Sequence, residues 1–508
     1  MKHMNVNKGN YPVIFALLIL MHTSFAFTQD VQKPKYAADV PGFLLTPDKV
    51  ETDLLGDLEF FDGMPSEATV QKSFDFLDLS RGVEAFLSGM PATSTYAMLE
   101  GLKKAGLKPG DLGLFGGLMD ARTLFLTAQS TTPYAFLEVD LKNGPVVVEI
   151  PGPVLGSLDD AFFRFVGDVG LTGPDQGKGG KYLFIGPDYE GEIPEGYFVA
   201  KSTTYRHWLF MRVFVEDGDL EGSTKALKEG FRCYPLAKAN NPPKQKILDL
   251  SGKKFNTIHA NDEHFYEELN AVIQYEPADA FNPELVGLFA SIGIKKGQPF
   301  APDARMKKIL KDAAAIGNAS ARSLVFRPRD PSVYFYPDRR WYTSFAGGHD
   351  FMNEGAMNID GRTIFHYVAT GITPAMSVPK VGTGSAYAFT PHDADGNYLD
   401  GGKTYKVTLP VPIPVNNFWS FMVYSGQHRS MLETDQKEAG LDSNSPAIQA
   451  NEDGSYTVWF APEAPEGHEG NWIQTIPGKS FNVLLRLYGP LEPWFDKTWK
   501  PGDFELVE

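Results

Sequence analysis

Cys233 is the sole cysteine among 508 residues, so no intramolecular disulfide can staple this chain. Small exported domains lean on such bridges because they bury too little apolar surface on their own. A chain of this length does not need them, since the buried share of the surface grows with size. Whatever it folds into must be held by packed apolar cores. The thiol itself sits in the aromatic context Phe231-Arg232-Cys233-Tyr234. That setting suits a buried, inert side chain better than a nucleophile, which would need His and acid partners.

The first residues narrow where such a fold would work. Lys2 and Lys8 precede the apolar run from Pro12 to Met21, and Ser24-Phe25-Ala26 places small residues before Phe27. Basic, apolar, then small-x-small is the pattern a signal peptidase reads. The apolar run is too short to span about 30 Å of hydrocarbon, and no cysteine lies near the cut for lipid attachment. The expectation is therefore a signal peptide over residues 1–26 and an exported protein, periplasmic or secreted. Later in the chain Leu285 to Ile294 is among the more apolar stretches, but it is short and carries Gly and Ser, so no membrane span is expected. Lys and Arg number 47 against 63 Asp and Glu, a formal net charge of −16. That acidity argues against nucleic-acid binding, which needs a basic stripe, and favours solubility.

The hydrophobic patterning reads as α+β and multidomain. Pro65-Ser66-Glu67 opens a helix in N-cap style, Gly89-Met90-Pro91 reads as its stop, and a second helix runs from Ala92 to about Lys104. Tyr134 to Asp140 and Pro145 to Ile150 flank Asn143-Gly144, a strong hairpin signal. Lys181 to Ile185, Tyr197 to Lys201 and His207 to Phe214 add strands. These features give a β-rich N-terminal domain with leading helices over residues 27–220. Residues 221–326 read as mainly helical, with Asp303 to Arg322 the clearest case. Thr404 to Leu409, Phe418 to Tyr424, Ser455 to Phe460 and Phe481 to Tyr488 then suggest a C-terminal antiparallel β-sandwich or jelly roll over 327–508.

Several sites invite chemistry and fit a simpler role better. The loop Gly173 to Gly180 (GPDQGKGG) has three residues, where a phosphate loop needs four, before its Gly-Lys, and it precedes a strand instead of a helix. It reads as a turn. His259, Asp262, His264 and Glu268 make the densest ligand-like cluster, yet Asn261-Asp262 more simply caps a helix. Asp393 to Gly396 puts its glycine too early for a hand-type calcium loop. His349-Asp350 and His366, the latter in the strand-like Ile364 to Val368, offer bases without a nucleophile elbow; Gly382 to Ala386 lacks the closing glycine. No nucleotide cofactor is expected, a divalent metal is left open without support from any ligand spacing, and no catalytic residue can be assigned.

Longer strings carry a resemblance. Lys72 to Met90, Leu118 to Tyr134, Gly173 to Tyr182, Tyr336 to Trp341, Ala369 to Met376, Asn417 to Tyr424 and Asn471 to Lys500 are similar to bacterial two-domain proteins. Those proteins join a domain of unknown function, DUF1254, to a C-terminal one, DUF1214. The resemblance runs from about residue 40 to the end, and implies an exported or envelope protein with β-sandwich parts around a helical middle. It carries a weak association with phosphatase or phytase-like activity. The chain departs from the family pattern at Gln129-Ser130-Thr131, where relatives show an Asn, a polar residue and an Asp. A carboxylate-based role for that turn is therefore in doubt.

What remains is a polar and aromatic set: Tyr134, Trp419, Arg429, Asn471, Trp472 and Arg486. Aromatic faces beside forked donors suit a saccharide or an anion, while the same residues could equally satisfy a sandwich core. Arg486 stands out because its neighbours from Val483 to Tyr488 are mostly apolar. Three readings follow: an exported protein binding a small polar ligand between β domains, a periplasmic hydrolase acting on phosphoesters, or a structural envelope protein.

Overall fold

The computed structural model describes residues 35–215 and 218–507. The expected signal peptide, residues 1–26, lies outside them. The chain divides into two compact units, residues 1–72 and 73–508. In the first, Lys49–Thr52 and Gly56–Phe61 pair antiparallel, and Met64–Pro65 adds a short third strand. Ser66 then caps a helix, its Oγ accepting from the Thr69 amide at 3.2 Å.

That helix, Glu67–Lys104, is continuous for 38 residues, where the sequence suggested two. A proline inside a helix removes one hydrogen bond and crowds the preceding turn. Here tertiary packing overrides that cost, because the turn around Pro91 is buried. Within it Thr93 and Thr95 donate their hydroxyls to the carbonyls of Met90 and Pro91, both at 3.1 Å. Gly89 serves close packing and not termination: a Cβ there would stand 2.9 Å from the Leu269 side chain.

Two sheets follow. Ile247–Asp249, Leu112–Leu114, Tyr134–Asp140, Arg206–Val213, Val154–Asp159 and Phe165–Gly170 lie side by side in a six-stranded sheet. Phe198–Lys201, Gly180–Ile185, Val146–Ile150 and Arg232–Pro235 form a four-stranded one. Asn143-Gly144 therefore closes no hairpin, because the strands it joins enter different sheets. Val146–Ile150 is apolar but for Glu149 and mostly buried, so it takes an inner position covered on both faces. Alternation divides the six-stranded sheet cleanly. Ala135, Leu137, Leu209 and Met211 share a core with Val148, Ile150, Tyr182 and Phe184. Tyr134, Phe136, Trp208 and Phe210 turn the other way, into the main core.

The expected helical span opens on the helix Leu220–Gly230, residues 232–256 then supply strands to the N-terminal sheets, and after them the continuous helical part begins. It comprises His264–Tyr275, Pro283–Ser291 and Ala304–Phe326. His366 lies on a further helix, Ile359–Val368, and not on a strand; Asn358 caps that helix, accepting from the Gly361 amide at 2.8 Å.

The C-terminal part is a sandwich of two four-stranded sheets. One runs Ser385–Thr390, Phe481–Tyr488, Trp419–Ser425, Gly440–Asp442; the other runs Trp472–Gln474, Tyr456–Ala461, Thr404–Leu409, Glu505–Val507. All the pairs are antiparallel except Trp459 with Trp472, which is parallel. Phe481–Tyr488 is buried at every position, because both of its faces are covered. The fold is thus α+β and multidomain.

Candidate functional site

The strand Arg206–Val213 and the strand Phe481–Tyr488 each place one arginine among apolar neighbours. Each arginine faces a tyrosine across its own sheet. In the N-terminal sheet Arg212 is in register with Tyr134, and its guanidinium carbon lies 5.9 Å from the Tyr134 ring centre. In the C-terminal sheet Arg486 is in register with Tyr387, with its guanidinium carbon 5.8 Å from that ring. The two pairs close on one cavity of about 50 Å³, walled also by Trp208, Phe210, Phe365 and Met376. Directly opposed cross-strand residues put their side chains on the same face, which is why each pair points into the same space.

Arg486 is 1% exposed. Its Nη2 donates to the Thr127 carbonyl at 2.6 Å, the Ala128 carbonyl at 3.3 Å and the Tyr424 hydroxyl at 2.8 Å. Its Nε finds no partner. Arg212 is half-buried and its charge acts on the Tyr387 hydroxyl. Among the described residues neither arginine pairs with a carboxylate. Burial alone would raise the Tyr387 hydroxyl, but Arg212 and then Arg486 hold it below the usual tyrosine value. The same walls contain two further buried polar atoms without partners, Trp208 Nε1 and Thr370 Oγ1. A buried charge normally finds an opposite charge, and a buried donor an acceptor. The cavity therefore gathers unspent donors and positive charge, which is the chemistry of an anion site.

Two more cavities adjoin it. One of about 60 Å³ shares Arg212, Tyr387, Phe210 and Met376 with the first. The next, of about 510 Å³, shares Arg212, Leu155, Ala375 and Ser385 with the second and is lined in part by the exposed Leu171, Phe214 and Val378. Arg212 lines all three. The segment from Thr373 to Val378, including the short helix Pro374–Ser377, walls the path on one side.

Of the residues singled out from sequence, Tyr134 and Arg486 meet here. The others lie elsewhere. Trp419 faces the sandwich interior, 5.5 Å from the Tyr456 ring. Asn471 accepts from the Gln449 amide at 2.8 Å and donates to the Gln449 and Thr457 carbonyls. Trp472 donates its indole N–H to the Ala461 carbonyl at 2.9 Å. Arg429 lies 3.9 Å over the Tyr367 ring and donates to Asn261 at 3.2 Å. Arg212 and Tyr387 were not singled out; the mark of Arg212, an arginine inside the apolar run His207 to Phe214, is the same one that exposed Arg486.

The remaining motifs are absorbed by local structure. Asp175 accepts from the Gly179 amide at 3.0 Å and from the Tyr182 hydroxyl, tying the glycine-rich loop into a turn. Asp393 accepts from the Asn397 amide at 2.8 Å. Gln129 accepts from the amides of Thr131 and Thr132, which shapes the turn that presents the carbonyls of Thr127 and Ala128 to Arg486. His259 is buried with its Nδ1 on the Ala260 carbonyl at 2.8 Å, while His264 bonds Asp262 at the surface. Among the described residues no three His, Cys, Asp or Glu side chains are grouped to hold a metal ion.

Comparison with known proteins divides the site in two. Residues 115–235 match the family described as "Protein of unknown function (DUF1254)". Residues 384–492 match "Protein of unknown function (DUF1214)". Tyr134 and Arg212 fall in the first region, Tyr387 and Arg486 in the second. No curated protein matches the chain. The crystal structure of the VPA0106 protein from Vibrio parahaemolyticus is similar, with a TM-score of 0.52 and 18% identity, covering 85% of this chain and all of that one. A crystal structure of an uncharacterized protein from Burkholderia cenocepacia aligns with a TM-score of 0.39 and 11% identity, over 86% of this chain and 96% of that one. The first likeness shows a shared fold.

Proposed function

We propose that this chain, which joins a DUF1254 region to a DUF1214 region, binds a small anionic ligand between them. The observation that carries this reading is the convergence of Arg212 and Arg486 on one cavity with no carboxylate partner among the described residues. Arginine forks suit carboxylate and phosphate oxygens. Burial among aromatic rings strengthens such contacts by excluding water. A neutral saccharide would use the aromatic faces but leave both charges uncompensated, so the anion is favoured. Export is part of the same proposal and rests on the basic, apolar and small-residue pattern of residues 1–26.

A thermal-shift screen tests the reading directly, because a ligand that binds only the folded state raises its melting temperature. Carboxylates and inorganic phosphate are expected to raise it in the parent and not in Arg212→Gln. A shift produced by neutral sugars alone would overturn the assignment of an anion.

A further inference from the structure

We infer that the ligand is an amphiphile, with one carboxylate head held at Arg212 and Arg486 and an apolar body lying in the outer cavity. This rests on the anion reading above and adds to it the size and nature of the rest of the molecule.

The inner spaces set the head. At about 50 and 60 Å³ they take a group the size of a carboxylate, given that about 10–15 Å³ of such space holds one water. A hexose or an inositol phosphate is too large for them. The acid in the wall of the middle cavity, Asp168, is bonded by Thr172, and burial raises its pKa. It therefore opposes an incoming anion less than an exposed aspartate would.

The outer cavity sets the body. Its volume is about 510 Å³ and its walls include Leu155, Leu171, Val213, Phe214, Val378 and Phe418. Among the described residues no acidic side chain lines it, and Lys380 is the one charged residue besides Arg212. Leu171, Phe214 and Val378 are 49%, 42% and 64% exposed. Apolar side chains gathered exposed around the mouth of a cavity mark a surface that a partner covers. A partner that also carries a negative charge to Arg212 must be apolar at one end and anionic at the other. Because Arg212 lines each of these three cavities, head and body meet at one residue.

The test is calorimetric titration of the full chain with acetate, hexanoate, octanoate and decanoate, with decanol as the neutral control, all below their aggregation limits. Affinity is expected to rise about fourfold per added methylene, the free energy of burying one, with decanol far weaker than decanoate. Val378→Asp, at an exposed position that folding tolerates, should flatten the rise with chain length, and Arg212→Gln should bring decanoate down to the level of decanol. Acetate binding with no gain from longer chains would overturn the amphiphile and leave the anion reading standing. No response to any carboxylate would overturn both. Decanol binding as tightly as decanoate would overturn the assignment of the head to the arginines.

Discussion

Arg212 and Arg486 reach one cavity from different sheets, and among the described residues neither meets a carboxylate. Like charges in a low-dielectric space repel, and desolvation disfavours each on its own. The fold tolerates them unequally. Arg486 holds two carbonyls and a tyrosine hydroxyl, whereas Arg212 acts through its charge on the Tyr387 hydroxyl.

That inequality predicts opposite outcomes for two similar substitutions. Arg486→Met should destabilise the protein by roughly 2–4 kcal/mol, because the Thr127 carbonyl is left unpaired and the Tyr424 hydroxyl, which still donates to Ala128, loses its donor. Arg212→Met should leave stability unchanged or raise it slightly, since it removes a repulsion, while abolishing the ligand-induced thermal shift. Trp472→Leu, remote from the cavity, should leave that shift intact. Denaturant unfolding with and without ligand checks all three. An Arg212→Met protein as unstable as Arg486→Met would show that Arg212 is structural.

A second prediction concerns acid. Burial pushes His259 and His366 down to about 3 each, against an ordinary value of about 6.5 in the unfolded chain. Between those values the unfolded chain holds more protons, so their contribution, complete above about pH 6.5, is lost as pH falls toward 3. Glu268 and Glu276 act in the opposite sense. Burial raises both to about 7, so their contribution is complete below about pH 4.3 and lost as pH rises through 7. The melting temperature should be nearly level from about pH 4.5 to 6.5 and fall steeply below that window. His366 sits among Phe163, Phe351 and Phe365, with ring centres 5.7, 5.4 and 5.1 Å away. His366→Phe should soften the acid fall, and an unchanged profile would discount this histidine.

Cys233 should prove inert while the protein is folded. It is half-buried, and burial pushes its thiol up to about 12, so little thiolate exists at neutral pH. Alkylation at pH 8 should be slow in the native protein and fast in denaturant, and reductant should not move the melting temperature. Rapid native labelling would contradict this placement.

Export by the proposed signal would leave a mature chain beginning at or near Phe27. N-terminal sequencing of material recovered outside the cytoplasm checks this, and finding Met1 there would remove the case for cleavage.

Local pattern carried much of the fold into view. The helix over Ala304–Phe326 and the strands through Arg212 and Arg486 follow directly from apolar periodicity. The sequence misled wherever a strong local signal met a long-range demand. Pro91 reads as a stop, yet the buried turn around it is worth more than the lost bond. Asn143-Gly144 reads as a hairpin, yet Val146–Ile150 needs cover on two faces and leaves its predecessor. The site was half legible for the same reason. An arginine in an apolar run is visible in one dimension and flagged Arg486. That Arg212 would face it depends on how two sheets some 270 residues apart in sequence come together, which no local pattern records. Trp419 and Asn471 show the converse, being placed where a sandwich interior and a turn use the same chemistry.

The main core runs without a break from Phe86 through Trp208 and Tyr367 to Phe504. The two family regions therefore do not mark two independently folding bodies. Heat should undo residues 73–508 in one cooperative calorimetric event, and a gene cut between the regions should yield fragments that are sticky apart and regain ligand binding only when mixed. For a binding protein this means that occupancy reports on the integrity of the whole assembly, so half-made or clipped copies would be silent instead of half-active.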